Sequence, residues 1–159
     1  EYAFRYCTNL REVVIPSSVT SIGKSAFECC TSLAKVVIPS GVTSIGDDAF
    51  SDCTNLREVV IPSSVTSIGN FAFARCTSLA KVVISNGVTS IGYCAFSECT
   101  NLREVVIPSS VTTMGQQAFI HIPSITVHVP WKEGKKPDGW DENWAFTGSD
   151  CTITIDYAK

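Results

Sequence analysis

The chain has 159 residues, 45% of them hydrophobic and 17% charged, with a formal net charge of −3 and a pI near 5.3. That balance excludes a disordered segment. Without a Lys/Arg cluster it also makes nucleic acid and anionic membrane poor partners. No apolar run approaches the roughly 20 residues of a membrane helix.

The first residues already belong to a pattern. Phe4, Phe27, Phe50, Phe73, Phe96 and Phe119 stand at a constant interval of 23. A period between about 20 and 50 residues is the signature of a solenoid or array, in which each unit buries its apolar face only against its neighbours. Glu1 falls inside a repeat and no signal segment precedes it, so the sequence reads as a piece of a longer parent with further repeats upstream. Tyr2 to Leu10 would then form an uncapped end, open to fraying or to end-to-end self-association.

One unit, from Thr54 to Cys76, shows how a coil folds. Leu56, Val59 and Ile61 point inward if Glu58 and Val60 point outward, the alternation of a strand with one buried face. Pro62 ends that strand by removing a backbone donor. Ser63-Ser64 turns the chain, and Val65 and Ile68 begin a second short extended stretch. Gly69 is expected at a bend whose conformation a side chain would oppose. Ala72 and Phe73 follow in a segment sized for a single turn of α or 3-10 helix, and Cys76 leads to the next strand. Stacked copies should form a parallel sheet with every strand donor and acceptor satisfied by the coils on either side. Departures inside the coil are mild: Met114 stands for Ile91, and Ser85 for Pro62.

Five of the eight cysteines (Cys7, Cys30, Cys53, Cys76 and Cys99) share one repeat position. They read as a column of compact buried filler. A disulfide ladder remains open, because stacked coils bring neighbouring Cα atoms near bridging distance. A zinc site needs short paired spacings and nearby histidines, which this column lacks. Cys29, Cys94 and Cys151 fall off the column and are the candidates for exposed or reactive thiols. Asp47, Asp48 and Asp52 are acidic neighbours without calcium-loop spacing. No cofactor is indicated.

The run CTNLREVVIPSSVTSIGNFAF resembles a leucine-rich repeat of the BspA-like class, and the resemblance extends over residues 1–122. It implies a leucine-rich-repeat coil, mainly β with short helical or 3-10 turns and a parallel sheet on one face. Residues 1–122 would form about five units and residues 123–159 a last strand and C-terminal cap. Members of this class are implied to be extracellular or cell-surface proteins of bacteria and some protists, engaged in adhesion and protein binding. No catalytic residue comes with the resemblance.

Outward positions are where such a scaffold can act. One column reads Glu12, Lys35, Glu58, Lys81, Glu104, so the units alternate as a pair of 46 residues, TNLREVV against TSLAKVV. This ladder either avoids a like-charge stack or patterns a docking surface. The next outward column, Val14, Val37, Val60, Val83 and Val106, forms an apolar stripe. Such stripes on soluble proteins accompany interaction surfaces, although valine also simply favours strands.

Beyond Phe119 the pattern fails. Ile122 replaces the cysteine, His128 falls on a buried-column valine and Pro130 on the isoleucine, counting by 23. Ser124 to Val129 reads as a last strand and Thr152 to Tyr157 as a closing one. Trp131, Trp140 and Trp144 lie between them, suited to covering the terminal coil or, alternatively, to stacking on sugar rings. The reading is therefore a non-enzymatic binding module for a protein or host-surface ligand. A structural spacer and a carbohydrate-binding segment are the alternatives. An enzyme fares worst: two isolated histidines and a ladder of carboxylates do not converge on a reacting atom.

Overall fold

The computed structural model describes residues 1–145 and 151–158. The repeating apolar pattern closes into one coil per 23 residues, each laid on the one before. On the first face of the coil lie the longer strands β1 (Glu12–Val14), β3 (Lys35–Val37), β5 (Glu58–Ile61), β7 (Lys81–Ile84) and β9 (Glu104–Val106). On the second lie the two-residue strands β2 (Ser21–Ile22), β4 (Ser44–Ile45), β6 (Ser67–Ile68), β8 (Ser90–Ile91) and β10 (Thr113–Met114). The longer β11 (Ser124–Val129) and β12 (Thr152–Tyr157) end the chain.

The second face is a continuous parallel sheet in the order β10-β8-β6-β4-β2, with Ile45 in register with Ile68 and Ile68 with Ile91. A third face runs through the phenylalanines. Sequence alone suggests a helical turn there, but no helix forms among the described residues. Phe71, Phe73 and Arg75 donate their N–H groups to the carbonyls of Tyr93, Ala95 and Ser97 in the next coil, at 2.8–2.9 Å. Phe71 and Arg75 hold left-handed φ values of 54° and 57°. That alternation turns every second N–H along the stack axis, which a helix, closing N–H groups on its own carbonyls, could not do.

Inside the coil like lies on like. The rings of Phe27, Phe50, Phe73 and Phe96 follow one another at 5.2–5.4 Å between centroids and within 7° of parallel. Phe50, Phe73, Phe96 and Phe119 are wholly buried. Cys53, Cys76 and Cys99 are buried beside them, each donating its S–H to the phenylalanine carbonyl one coil earlier at 3.2 Å. The thiols thus serve as filler and as donors. Burial pushes Cys30 up to about 11 and Cys99 up to about 12, so both stay protonated and unreactive at neutral pH. Cys94, expected off the column as an exposed thiol, is buried. It stands at the left-handed position two residues before Phe96, where a small side chain folds back under the turn. Cys29 and Cys151 are half-buried.

The first face departs from the expected continuous sheet. It is assembled in three pieces: β1-β3, β5-β7 and β9-β11-β12. Among the described residues no ladder pairs β3 with β5 or β7 with β9. The interruptions follow the 46-residue alternation of the sequence. Where β5 meets β7, Ser78 donates its N–H to the Thr54 carbonyl. At both interruptions a threonine hydroxyl takes the equivalent carbonyl, Thr54 on Thr31 at 3.3 Å and Thr100 on Thr77 at 3.5 Å, and at the first the Asn55 amide adds a second bond to Thr31 at 2.8 Å.

The last coil is one residue shorter. Thr126 is in register with Glu104 (126 − 104 = 22), whereas Lys81 faces Glu58 at an interval of 23. His128 therefore lies opposite outward-facing Val106, not on a buried valine, and Val129, buried, takes the isoleucine's place instead of Pro130. Trp140 closes the end. It is buried, its Nε1–H donates to the Val111 carbonyl at 3.1 Å, and Trp131 and Trp144 pack edge-on against it at 4.3 and 4.9 Å. With Trp140 and Trp144 both buried, these two indoles offer no open face to a sugar. Residues 146–150 and Lys159 of the expected cap lie outside the described residues.

Candidate functional site

Alternation along each strand of the first face sends Val36, Val59, Val82 and Val105 inward, all buried. It sends the neighbouring valines outward: Val14 is 83% exposed, Val37 61%, Val60 50%, Val83 38% and Val106 59%. The register pairs Val14 with Val37 and Val60 with Val83. The expected outward valines are thus present, paired within β1–β3 and β5–β7, with the ladder interrupted between the pairs.

The charged column beside it is present but only partly engaged. Glu12 faces Lys35 and Glu58 faces Lys81 in register. The second pair closes at 2.7 Å, with both side chains more than half exposed. Such a pair contributes about 0.2–1 kcal/mol, enough to bias register but not to hold the sheet.

At the cap end the valine row passes into a charged clasp. His128 on β11 lies between Glu104 on β9 and Asp156 on β12, with Nε2–Oε1 at 2.9 Å and Nδ1–Oδ2 at 2.6 Å. The hydrogen bond to Asp156 raises the His128 pKa first, opposed by partial desolvation and aided by the Glu104 charge. A pKa raised by folding means that the clasp stabilises fully below the unfolded value of about 6.5. Its contribution is lost as pH rises through the higher folded value. Amide exchange in β12 is accordingly expected to quicken from pH 6 to pH 8.5, beyond the base-catalysed rate of an unstructured peptide, and His128→Gln should remove that excess. An excess that persists in the variant would show that the imidazole is not the titrating group.

Other polar clusters are occupied by structural work. Asp47 accepts the Asn70 N–H at 2.7 Å, and Asp52 pairs with Arg75 at 3.0 Å. Phe71 and Tyr93 meet edge-on at 5.1 Å.

Sequence reasoning missed one feature of this face. Between β3 and β5 the parted strands leave a groove of about 410 Å³. Its walls include Lys35, Val37, Ile38, Arg57, Glu58 and Val60. The signal was in the sequence as the alternation of Asn with Ser and Arg with Ala ahead of each strand, but nothing in residue type says that the alternation would separate strands.

The BspA-type leucine-rich repeat region matches residues 1–126 in six copies. Among solved structures, a Treponema (T. pallidum) leucine-rich repeat protein is 35% identical, with 78% of this chain and 61% of that one covered and a TM-score of 0.74. A leucine-rich cell surface protein from Faecalibacterium prausnitzii is 34% identical over 76% of this chain and 39% of its own, with a TM-score of 0.58. The pneumococcal vaccine antigen PcpA is 31% identical over 78% of this chain and 31% of its own, with a TM-score of 0.67. The chain thus spans less than two thirds of the length of each of these structures. No curated protein matches it.

Proposed function

The chain belongs to the BspA-type leucine-rich repeat family, and from that premise we propose that it is a non-enzymatic adhesion and protein-binding module of a secreted or cell-surface protein. Its ligand, a protein or host-surface component, lies against the first face of the coil. The observation that carries this is the row Val14, Val37, Val60, Val83 and Val106, each at least 38% exposed in one file on a hydrogen-bonded scaffold. A solvated face of a monomer has no need of such a row. The description of one structural relative as a cell surface protein and of another as a vaccine antigen supports the extracellular setting.

Val60→Glu combined with Val83→Glu tests the reading. Both side chains face solvent, so melting temperature and circular dichroism should stay near wild type, within the roughly ±0.5 kcal/mol of surface changes. Binding to immobilised extracellular-matrix proteins and to cultured epithelial cells should weaken at least tenfold, about 1.4 kcal/mol. A domain that serves as a spacer would show the same binding, or none, before and after.

A further inference from the structure

The groove between β3 and β5 differs from the rest of the face in three respects. First, the strand ladder is interrupted there: β3 pairs with β1 and β5 with β7, and the two share no ladder. Their Cα atoms still approach within 8 Å, too close for a further strand at about 4.8 Å from each, so a bound segment lies over the seam and not within it. Second, at about 410 Å³ the space falls within the range of small-molecule and side-chain pockets, about 300–1,000 Å³. Val37, Ile38 and Val60 supply an apolar lining.

The third respect is charge. Three charged residues line the groove: Lys35, Arg57 and Glu58. Glu58 is engaged away from it, with Lys81 at 2.7 Å. Glu12 stands in register with Lys35 yet closes no ion pair with it. Among the described residues neither Lys35 nor Arg57 has a carboxylate within salt-bridge reach. The other interruption, between β7 and β9, is not like this. There Lys81 is held by Glu58, Arg103 donates to the Thr100 and Leu102 carbonyls at 2.8 and 3.3 Å, and Glu104 meets His128. Two sequence-equivalent seams thus differ in that one keeps two uncommitted cations beside an apolar floor.

We propose that the seam between β3 and β5 docks an extended protein segment in which acidic residues alternate with apolar ones, its carboxylates on Lys35 and Arg57 and its apolar side chains on Val37, Ile38 and Val60. This rests on the binding role of the first face and narrows it to one position and one ligand chemistry. Opposite charge supplies the selection and the on-rate. The apolar floor supplies burial.

The test uses acetylated heptapeptides that alternate apolar residues with glutamate, glutamine or lysine, titrated into the isotope-labelled protein. The glutamate series should shift the amides of Ala34–Ile38 and Arg57–Ile61. Its affinity should fall at least tenfold on replacing glutamate by glutamine, and again between about 0.05 and 0.5 M salt as screening shortens. Lys35→Glu with Arg57→Glu should transfer the response to the lysine series, while Lys81→Glu with Arg103→Glu should leave the wild-type preference intact. Lys35→Gln with Arg57→Gln serves where charge reversal disturbs the amide spectrum. Equal response to the glutamate and lysine series, shifts confined to other coils, or no shifts at all would overturn the proposal. Failure of this seam and failure of the face are separable. If no peptide reaches the seam while Val60→Glu with Val83→Glu still abolishes ligand binding, the face binds elsewhere. If the peptides titrate the seam and the valine variant binds its ligand unchanged, the broader reading is the one that falls.

Discussion

Phe73→Ala should destabilise the chain by about 3–5 kcal/mol, the range for removing a buried aromatic ring, and should also make its unfolding less cooperative. Phe73 is wholly buried and lies between Phe50 at 5.2 Å and Phe96 at 5.4 Å. Deleting it removes one ring and strips a face from each of two others. The surrounding coil cannot collapse to fill the gap, because its circumference is set by hydrogen bonds on three faces. In a solenoid each coil is stabilised by its neighbours alone. A defect in the middle therefore divides the stack into two short arrays. Urea unfolding followed by circular dichroism is expected to show a lower midpoint and a shallower or biphasic transition. Phe71→Ala supplies the contrast: Phe71 is 37% exposed and meets Tyr93 edge-on at 5.1 Å, outside the stacked column, so its loss should cost less than half as much. Equal costs at the two positions would mean that the column contributes ordinary area burial and no coupling between coils.

The coil was readable because stacking puts identical demands on residues 23 apart, and the sequence answers with identical side chains: Phe on Phe, Cys on Cys, Ile on Ile. Outward positions were readable for the same reason. Period-two alternation assigns Val60 and Glu58 to the opposite side from Val59, and the exposures agree. The course of the turn around Phe73 was not readable. Its left-handed residues are Ser25, Asp48, Phe71, Cys94 and Gln117 on one side of the phenylalanines, and none is glycine, so the usual residue signal for positive φ is missing. His128 was misplaced because counting by 23 runs one residue past a coil that has lost one. The groove was hidden for a different reason. The interruption accompanies a change in what the carbonyl before the strand accepts, the Ser78 N–H at Thr54 but side chains at Thr31, a change that polarity patterns do not record.

The glycine column allows a sharper test, since one repeat position should give graded results at two places in the stack. Sequence reading assigned Gly69 to a bend with a special conformation, yet its φ is not in the left-handed region. Its constraint is space. A Cβ there would lie 2.5 Å from the Asp47 nitrogen and 2.6 Å from the Gly46 carbonyl carbon. Both are backbone atoms of the coil beneath, fixed by the Gly69 N–H on the Ile45 carbonyl at 2.8 Å. Relief requires lifting one coil off another, which breaks hydrogen bonds along the short-strand sheet. Gly69→Ala should therefore destabilise by about 1–3 kcal/mol or more, the cost of overpacking. At a glycine with room to spare, the same change usually stabilises by about 0.4–1 kcal/mol through the unfolded chain. Gly46 occupies the equivalent position one coil earlier, where a Cβ would meet the Lys24 nitrogen at 2.8 Å and the Gly23 carbonyl carbon at 2.9 Å, a smaller overlap. Gly46→Ala should thus lower the urea midpoint by less than Gly69→Ala does. If both substitutions prove harmless, the coils are not held in the close backbone contact that fixes the register of every column, including the valine row and the seam beside it.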